Sequence, residues 1–388
     1  MQRVRSWTPL SASISSKKLL AAARSGHADE AKLRALGEED PSVFFRDIIE
    51  PLADSFDPAD VSTYERVMLA WLPPRPEATP AIPQRVDTVY VLSRVTLGAD
   101  VKITSIVLDA MKRRFPQARI VLAGGRKAQE LFAADSRITA LHAEYPRSGP
   151  VSERIAFGQR LRELLRLPHS IVVDPDSRLT QLGLVAPCEA DRYFHFSSRS
   201  AGGDSTANLT TLTQDWLDSI FNVRAEAFIA PEPVALSTAE PFVAISLGVG
   251  GNLTKRITGS FETELVRLLS DRYQSLWADR GAGGEEALRV TAAVEAAGAS
   301  TRVRFWEGSF AGFASIAARS ALYVGYDSAG QHAAAAAGVP LITVFAGAAS
   351  PRFRARWSPA GPGAITVIDA DRMAADECLD QVRKLLST

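Results

Sequence analysis

The sequence predicts an α/β protein: two doubly wound, Rossmann-like halves facing a cleft, with a helical extension in front. Three observations lead there. Short β-branched, apolar runs alternate with segments of helical period, the signature of a parallel sheet covered on both faces. The alternation occurs twice, and a Pro-rich stretch precedes each set: PPRPEATPAIPQ (73–84) and APEPVALSTAEP (230–241). The chain has 388 residues, too many for one ordinary core and enough for two domains. The expected division is 1–84 (helical extension and linker), 85–235 (first half) and 236–388 (second half).

From about Lys17 to Leu72 the pattern is helical. Leu19, Leu20 and Ala23, then Phe44, Phe45, Ile48, Ile49 and Leu52, recur at helix spacing among charges. The prolines of 73–84 end it. VDTVYVLS (86–93) is the first strand. Ile103, Ile106, Val107, Ala110 and Met111 form one stripe of the next helix, which stops at KRRF before Pro116. ARIVLAGG (118–125) is a strand, RKAQELFA a short helix, ITALH a strand, SERIAFGQRLRELLRL a long helix and SIVVDPD (170–176) a strand. The pattern weakens over 197–233. It restarts with the strand PFVAISLG, the helix ITGSFETELVRLLSDR, the strand YQSLWAD and the helix GEEALRVTAAVEAAG. VRFWEG, ALYVGYD and PLITVFAG are expected to complete the strand set.

Composition excludes several classes. Lys plus Arg equals Asp plus Glu, at 44 each, so no global field favours nucleic acid or an anionic membrane. Cys188 and Cys378 are the only cysteines, which argues against a disulfide framework and fits a reducing cytoplasm. The N-terminus lacks the continuous apolar core of a signal peptide. The longest apolar run, Ala333 to Ala349, is broken by Gly338 and Pro340 and falls short of the roughly 20 residues of a membrane span. A cytoplasmic protein is expected, with peripheral contact at the inner face of a membrane left open.

Ligands of open α/β sheets bind beyond the carboxyl ends of the strands. Five such ends carry chemistry. In YDSAGQHAAAAAGVP (326–340) a strand meets an alanine-rich helix. Helix N–H groups and the Ser328 hydroxyl suit a phosphate. Ala329 and Gly330 let a ligand approach the backbone, and Asp327 suits sugar hydroxyls. Asp327 or Ser328 equally suits a plain helix cap, and His332 reads as a structural histidine. SLGVGGNLTKR (246–256) offers loop N–H groups and the Lys255 charge to an anion, but not in P-loop order. Glu285 and Glu286 in DRGAGGEEALR open a helix, where acids favour the dipole; they also suit a ribose diol. Asp100, just past the first strand, is a candidate general base or a cap. Asp174, Asp176 and Arg178 in DPDSRLTQLG crowd another strand end. They could grip a polyhydroxylated acceptor or simply pair internally. No metal site follows from two carboxylates.

Together these pieces resemble the heptosyltransferase family, glycosyltransferase family nine, which has the GT-B fold. The most specific match is YVGYDSAGQHAAAAAGVPLITVFAGAASP, similar to that family's strand, Asp-Ser/Thr-Gly-x-x-His, Ala-rich helix, Gly-x-Pro and strand. A second is LGADVKITSIVLDAMKRRFPQARIVLAGG, similar to its Gly-Asp turn, helix, Arg-Arg-Phe-Pro and second strand. The Thr254-Lys255 loop and GAGGEEA match more weakly. The resemblance spans roughly 85–350, sparsely over 185–240. It implies inverting transfer of a sugar from a nucleotide diphosphate sugar to a carbohydrate or glycolipid hydroxyl, with no cofactor required, in cell-surface polysaccharide synthesis. By the same resemblance Asp100 is the base. Thr254, Lys255, Ser328, Ala329 and Gly330 hold the diphosphate, Asp327 meets the donor sugar, and Glu285 or Glu286 meets the ribose. The chain departs from the pattern, and DPDSRLTQLG matches no family signature. Ala329 stands where the family has Gly, Gly98-Ala99-Asp100 replaces Gly-Asp, and the helices before Pro73 are additional.

Two other classes share the architecture. A nucleotide-sugar 2-epimerase would use several acids and histidines around the cleft, whereas only His332 of five histidines lies in a motif. A non-catalytic nucleotide-sugar binding protein or scaffold would keep Lys255 and Ser328 without needing Asp100. An NAD enzyme is disfavoured, since no GxGxxG follows the first strand. The two-half layout also predicts closure on donor binding.

Overall fold

The computed structural model describes residues 9–73, 79–236, 240–250, 252–281, 283–348 and 350–387. The extreme N-terminus, parts of both Pro-rich stretches, Gly251 and Ala282 lie outside them. Two parallel sheets organise the chain. The first holds β1 (Thr88–Leu92), β2 (Arg119–Gly124), β3 (Ile138–His142), β4 (Ser170–Asp174) and β5 (Tyr193–His195), in the order β3-β2-β1-β4-β5. The second holds β6 (Val243–Ser246), β7 (Leu276–Asp279), β8 (Val303–Trp306), β9 (Leu322–Tyr326), β10 (Leu341–Phe345) and β11 (Ile365–Asp369), in the order β11-β10-β9-β6-β7-β8. Every strand pairing is parallel. The fold is thus two α/β halves of GT-B type.

The central strands read as unbroken apolar runs because helices cover both faces. All five residues of β1, β4 and β10 are buried. Helices Ser105–Arg114, Phe261–Arg272 and Gly284–Ala296 pack as their sequence stripes predict; Ile106, Val107, Ala110 and Met111 have 0% exposure. One expectation is corrected: PLITVFAG does not complete the strand set. β11 follows it at the sheet edge, paired on β10 alone and largely solvent-accessible, so its sequence lacks the buried-strand signature.

The extension is helical, in the segments Pro9–Arg24, Glu30–Glu39, Pro41–Phe44, Glu50–Ala53 and Pro58–Met68, with a π turn at Phe45–Ile49. Asp29, Asp40 and Asp57 cap three of them. Its core of Phe44, Ile48, Ile49, Leu52, Tyr64 and Met68 closes against Val151, Ile155 and Val185 of the first half. Among the described residues, no helix is long and apolar enough to cross a membrane.

Candidate active site

Each sheet has a point where strand order reverses, and crevices open there beyond the carboxyl ends. In the first half it lies between β1 and β4, so Ser93–Asp100 faces Asp174–Thr180. In the second it lies between β9 and β6, so Asp327–Gly330 faces the loop that carries Lys255. The two crevices adjoin. A Cβ added to Gly98 would stand 3.3 Å from His332 Cδ2 and 3.6 Å from the Ala329 Cα.

Asp100 opens a π turn, Asp100–Thr104, set between helical residues Leu97–Ala99 and Ser105–Arg114. A π turn accommodates one residue more than an α turn, which matches the additional residue in Gly98-Ala99-Asp100. Asp100 is 1% exposed. Its Oδ1 accepts from the Arg94 N–H at 2.7 Å and the Thr104 hydroxyl at 2.9 Å, and its Oδ2 from the Ser93 hydroxyl at 2.9 Å. Burial outweighs these donors and pushes its pKa up to about 6.

Asp174, Asp176 and Arg178 sit opposite, each already paired. Asp174 accepts from the Ser177 N–H, the Thr180 hydroxyl and the Tyr193 hydroxyl, which orders the turn. Asp176 pairs with Arg199 at 2.9 Å and accepts from Ser198. Burial opposes its charge, yet Arg199, His195 and Arg94 hold its carboxyl well below the usual range. Arg178 donates to Asp54 at 2.9 Å. Arg199 donates to Asp54 as well, at 3.0 Å. Arg94 completes the cluster: its guanidinium donates to the Ser198 hydroxyl, and burial followed by the like charge of Arg199 pushes its pKa down to about 10. Sequence reasoning missed Arg94, Arg199 and Asp54. Only Arg94, two residues past the β1 end, carried a positional signal.

In the second half, Asn252 caps a short 3₁₀ turn, Leu253–Lys255, through the Thr254 N–H and hydroxyl. Lys255 Nζ reaches Asp327 Oδ2 at 2.6 Å, and Gln331 donates to Asp327 Oδ1 at 2.6 Å. Ser328 begins the helix Ala329–Ala336 and makes no capping bond with its side chain, so the first N–H groups keep their donor capacity. Gly330 is required there: an added Cβ would meet the Tyr323 hydroxyl at 2.4 Å. Glu285 is exposed, whereas Glu286 folds back over the backbone of Gly248 and Gly281. Asp279, at the end of β7, was also missed; burial pushes its pKa up to about 6.

Lys102 links the crevices. It is 2% exposed and donates to Asn208 Oδ1 (2.7 Å), the Thr210 hydroxyl (3.2 Å) and the Ser358 carbonyl (2.7 Å) of the second half. Burial pushes its pKa down to about 7, against the pull of the Asp327 charge. Burial first, and the charges of Lys102 and Lys255 next, lower the His332 pKa well below the usual imidazole value, so the ring is held neutral. Among the described residues, no group of three or more His, Cys, Asp or Glu side chains is placed to hold a metal ion.

No protein-family model matches the sequence, and no curated protein matches it. Solved structures match the fold. A family nine glycosyl transferase from Veillonella parvula DSM 2008 aligns at 15% identity and a TM-score of 0.58, over 79% of this chain and 99% of that one. The E. coli heptosyltransferase WaaC, solved with ADP, aligns at 17% identity and a TM-score of 0.54, over 77% and 99%. The E. coli ADP-heptose lps heptosyltransferase II aligns at 16% identity and a TM-score of 0.52, over 77% and 98%. The resemblance read from the motifs is therefore matched by a shared three-dimensional fold.

Proposed function

We propose that this protein is an inverting glycosyltransferase of the heptosyltransferase type. It takes its sugar from a nucleotide diphosphate donor bound by the second half and passes it to a carbohydrate or glycolipid hydroxyl held by the first. In this proposal residues 85–235 form the acceptor unit and 236–388 the donor unit. One observation carries the reading: Asp100 and the Lys255–Asp327 pair lie at the two strand-order reversals, on halves that touch at Gly98 and Ala329. The fold shared with a heptosyltransferase solved with ADP supports it.

In the proposed step the acceptor hydroxyl loses its proton to Asp100 Oδ2. That oxygen has the rotatable Ser93 hydroxyl as its neighbour, so it can turn to a new donor. The acceptor oxygen forms a bond to the anomeric carbon as the bond to the diphosphate oxygen breaks, with inversion. Negative charge builds on the leaving diphosphate. Lys255, once released from Asp327, and the N–H groups at Ser328–Gly330 stabilise it. Asp327 and one of Glu285 and Glu286 bind hydroxyls of the donor. A glycolipid acceptor would bring the protein to the inner face of a membrane.

The test is a thermal-shift panel of nucleoside diphosphates and nucleotide sugars. Ligands that bind only the folded state raise its melting point. A shift with one nucleotide, lost in Lys255→Ala and kept in Asp100→Asn, supports the reading. Absence of a shift with every nucleotide would turn it toward a non-catalytic scaffold.

A further inference from the structure

The fold neighbours are covered almost completely, at 98% and 99% of their length, while about a fifth of this chain stays outside the match. The helical extension is additional to the family motifs, and its tip does not rest on one half alone. Asp54, after the helix Glu50–Ala53, accepts from Arg178 at 2.9 Å and from Arg199 at 3.0 Å, both at the first half's crevice. Two residues on, Phe56 is 1% exposed with φ at 59°, a left-handed conformation that bulky residues rarely adopt. Its ring lies 6.1 Å from Phe353 and 5.9 Å from Trp357, both on the second half's helix Pro351–Trp357. The same helix end offers the Ser358 carbonyl to Lys102.

We propose that Asp54 and Phe56 are positioning residues. They strap the extension to both halves and hold the cleft in the arrangement that sets Gly98, two residues before Asp100, against Ala329. The strap rests on its own contacts; its bearing on transfer rests on the function proposed above. The strain at Phe56 is the cost of pointing one ring at the second half while its neighbour Asp54 faces the first.

The experiment is hydrogen exchange on the full-length protein without ligand, on Phe56→Ala and Asp54→Asn, with small-angle scattering on the same samples. Exchange is expected to rise several-fold at 97–104 and 351–358 and the radius of gyration to grow. The central strands β1, β6 and β9 should stay protected. Phe56→Leu should restore part of the protection. Faster exchange confined to residues 41–68, with 97–104 and 351–358 unchanged, overturns the proposal and leaves the extension a passive cover. Should Phe56→Ala fail to fold, Asp54→Asn, which keeps the side-chain shape, is read by the same two outcomes. Neither readout uses a nucleotide, so the strap can fail while ADP binding succeeds, or the reverse.

Discussion

Lys255 Nζ and Asp327 Oδ2 are 2.6 Å apart, although 72 residues separate them in sequence. The cation expected to meet a diphosphate is thus held by the carboxylate expected to meet the sugar. An incoming diphosphate must compete with Asp327 for the same ammonium. Lys255→Ala should therefore weaken ADP binding about 10- to 100-fold. Asp327→Asn should act the other way, because it removes both the competitor and a repelling charge. ADP should bind it about 3- to 10-fold more tightly while transfer falls. Calorimetric titration of the two variants decides; weaker binding in both would show that the pair acts as a structural unit.

Asp100 titrates near neutrality because it is buried, with a pKa of about 6. As a base it must be ionised, so kcat/KM should fall tenfold per pH unit below about 6. Asp100→Asn should lower the rate about 10²- to 10⁴-fold and leave ADP affinity intact. Stability carries the same signature. The folded-state pKa is raised, so the group favours folding below its unfolded value of about 3.9, and this is lost as pH rises through about 6. The melting point of Asp100→Asn relative to wild type should accordingly climb between pH 4 and pH 7. A flat difference across that range would remove the buried carboxylate from the account.

Lys102 is a buried cation facing neutral oxygens, with a pKa of about 7. The unfolded chain binds its proton up to about 10.4, so between those values the unfolded state holds more protons. This contribution therefore raises stability as pH increases from about 7 toward 10. Lys102→Met should abolish it. Its former acceptors keep other donors, since Asn208 Nδ2 reaches the Ser358 carbonyl and the Thr210 N–H reaches Asn208 Oδ1. Unfolding free energies of the two proteins from denaturant titrations at pH 6.5, 8 and 9.5 should diverge by about 3 kcal/mol in favour of wild type as pH rises.

Much of this architecture is legible in the sequence. The buried strands announce themselves as apolar runs, and Asp100, Lys255, Asp327 and Ser328 are legible because each follows a strand. Other elements hide for physical reasons. The helix Phe310–Ala317 has nearly every residue buried, so it has no polar face and no period. β5 is three residues long and β11 is an edge strand. Asp54 and Arg199 meet across 145 residues, and Lys102 and Ser358 across 256. No local pattern encodes such contacts; they exist only once the extension and both sheets have packed.

Gly330 and Tyr323 test how tightly the proposed donor side is built. An alanine methyl at Gly330 would meet the Tyr323 hydroxyl at 2.4 Å. Gly330→Ala should cost about 1–3 kcal/mol through overpacking. Tyr323→Phe removes the offending oxygen and should recover part of that loss. A double-mutant cycle on thermal stability measures the coupling, and strictly additive effects would place the clash elsewhere.

Around the first half's crevice three arginines, Arg94, Arg178 and Arg199, stand among four carboxylates, Asp54, Asp100, Asp174 and Asp176. At neutral pH the three guanidinium groups offset most of the carboxylate charge. The two sides of the cleft should therefore differ in their response to ionic strength. A nucleotide diphosphate approaching Lys255 has to exchange the Asp327 ion pair for its own, and salt screens the pair it forms. In the proposed function an acceptor approaching the arginine–carboxylate cluster meets largely offset charges, so its capture is governed by shape and hydroxyl contacts. On the proposed function, added salt should weaken donor loading more than acceptor binding.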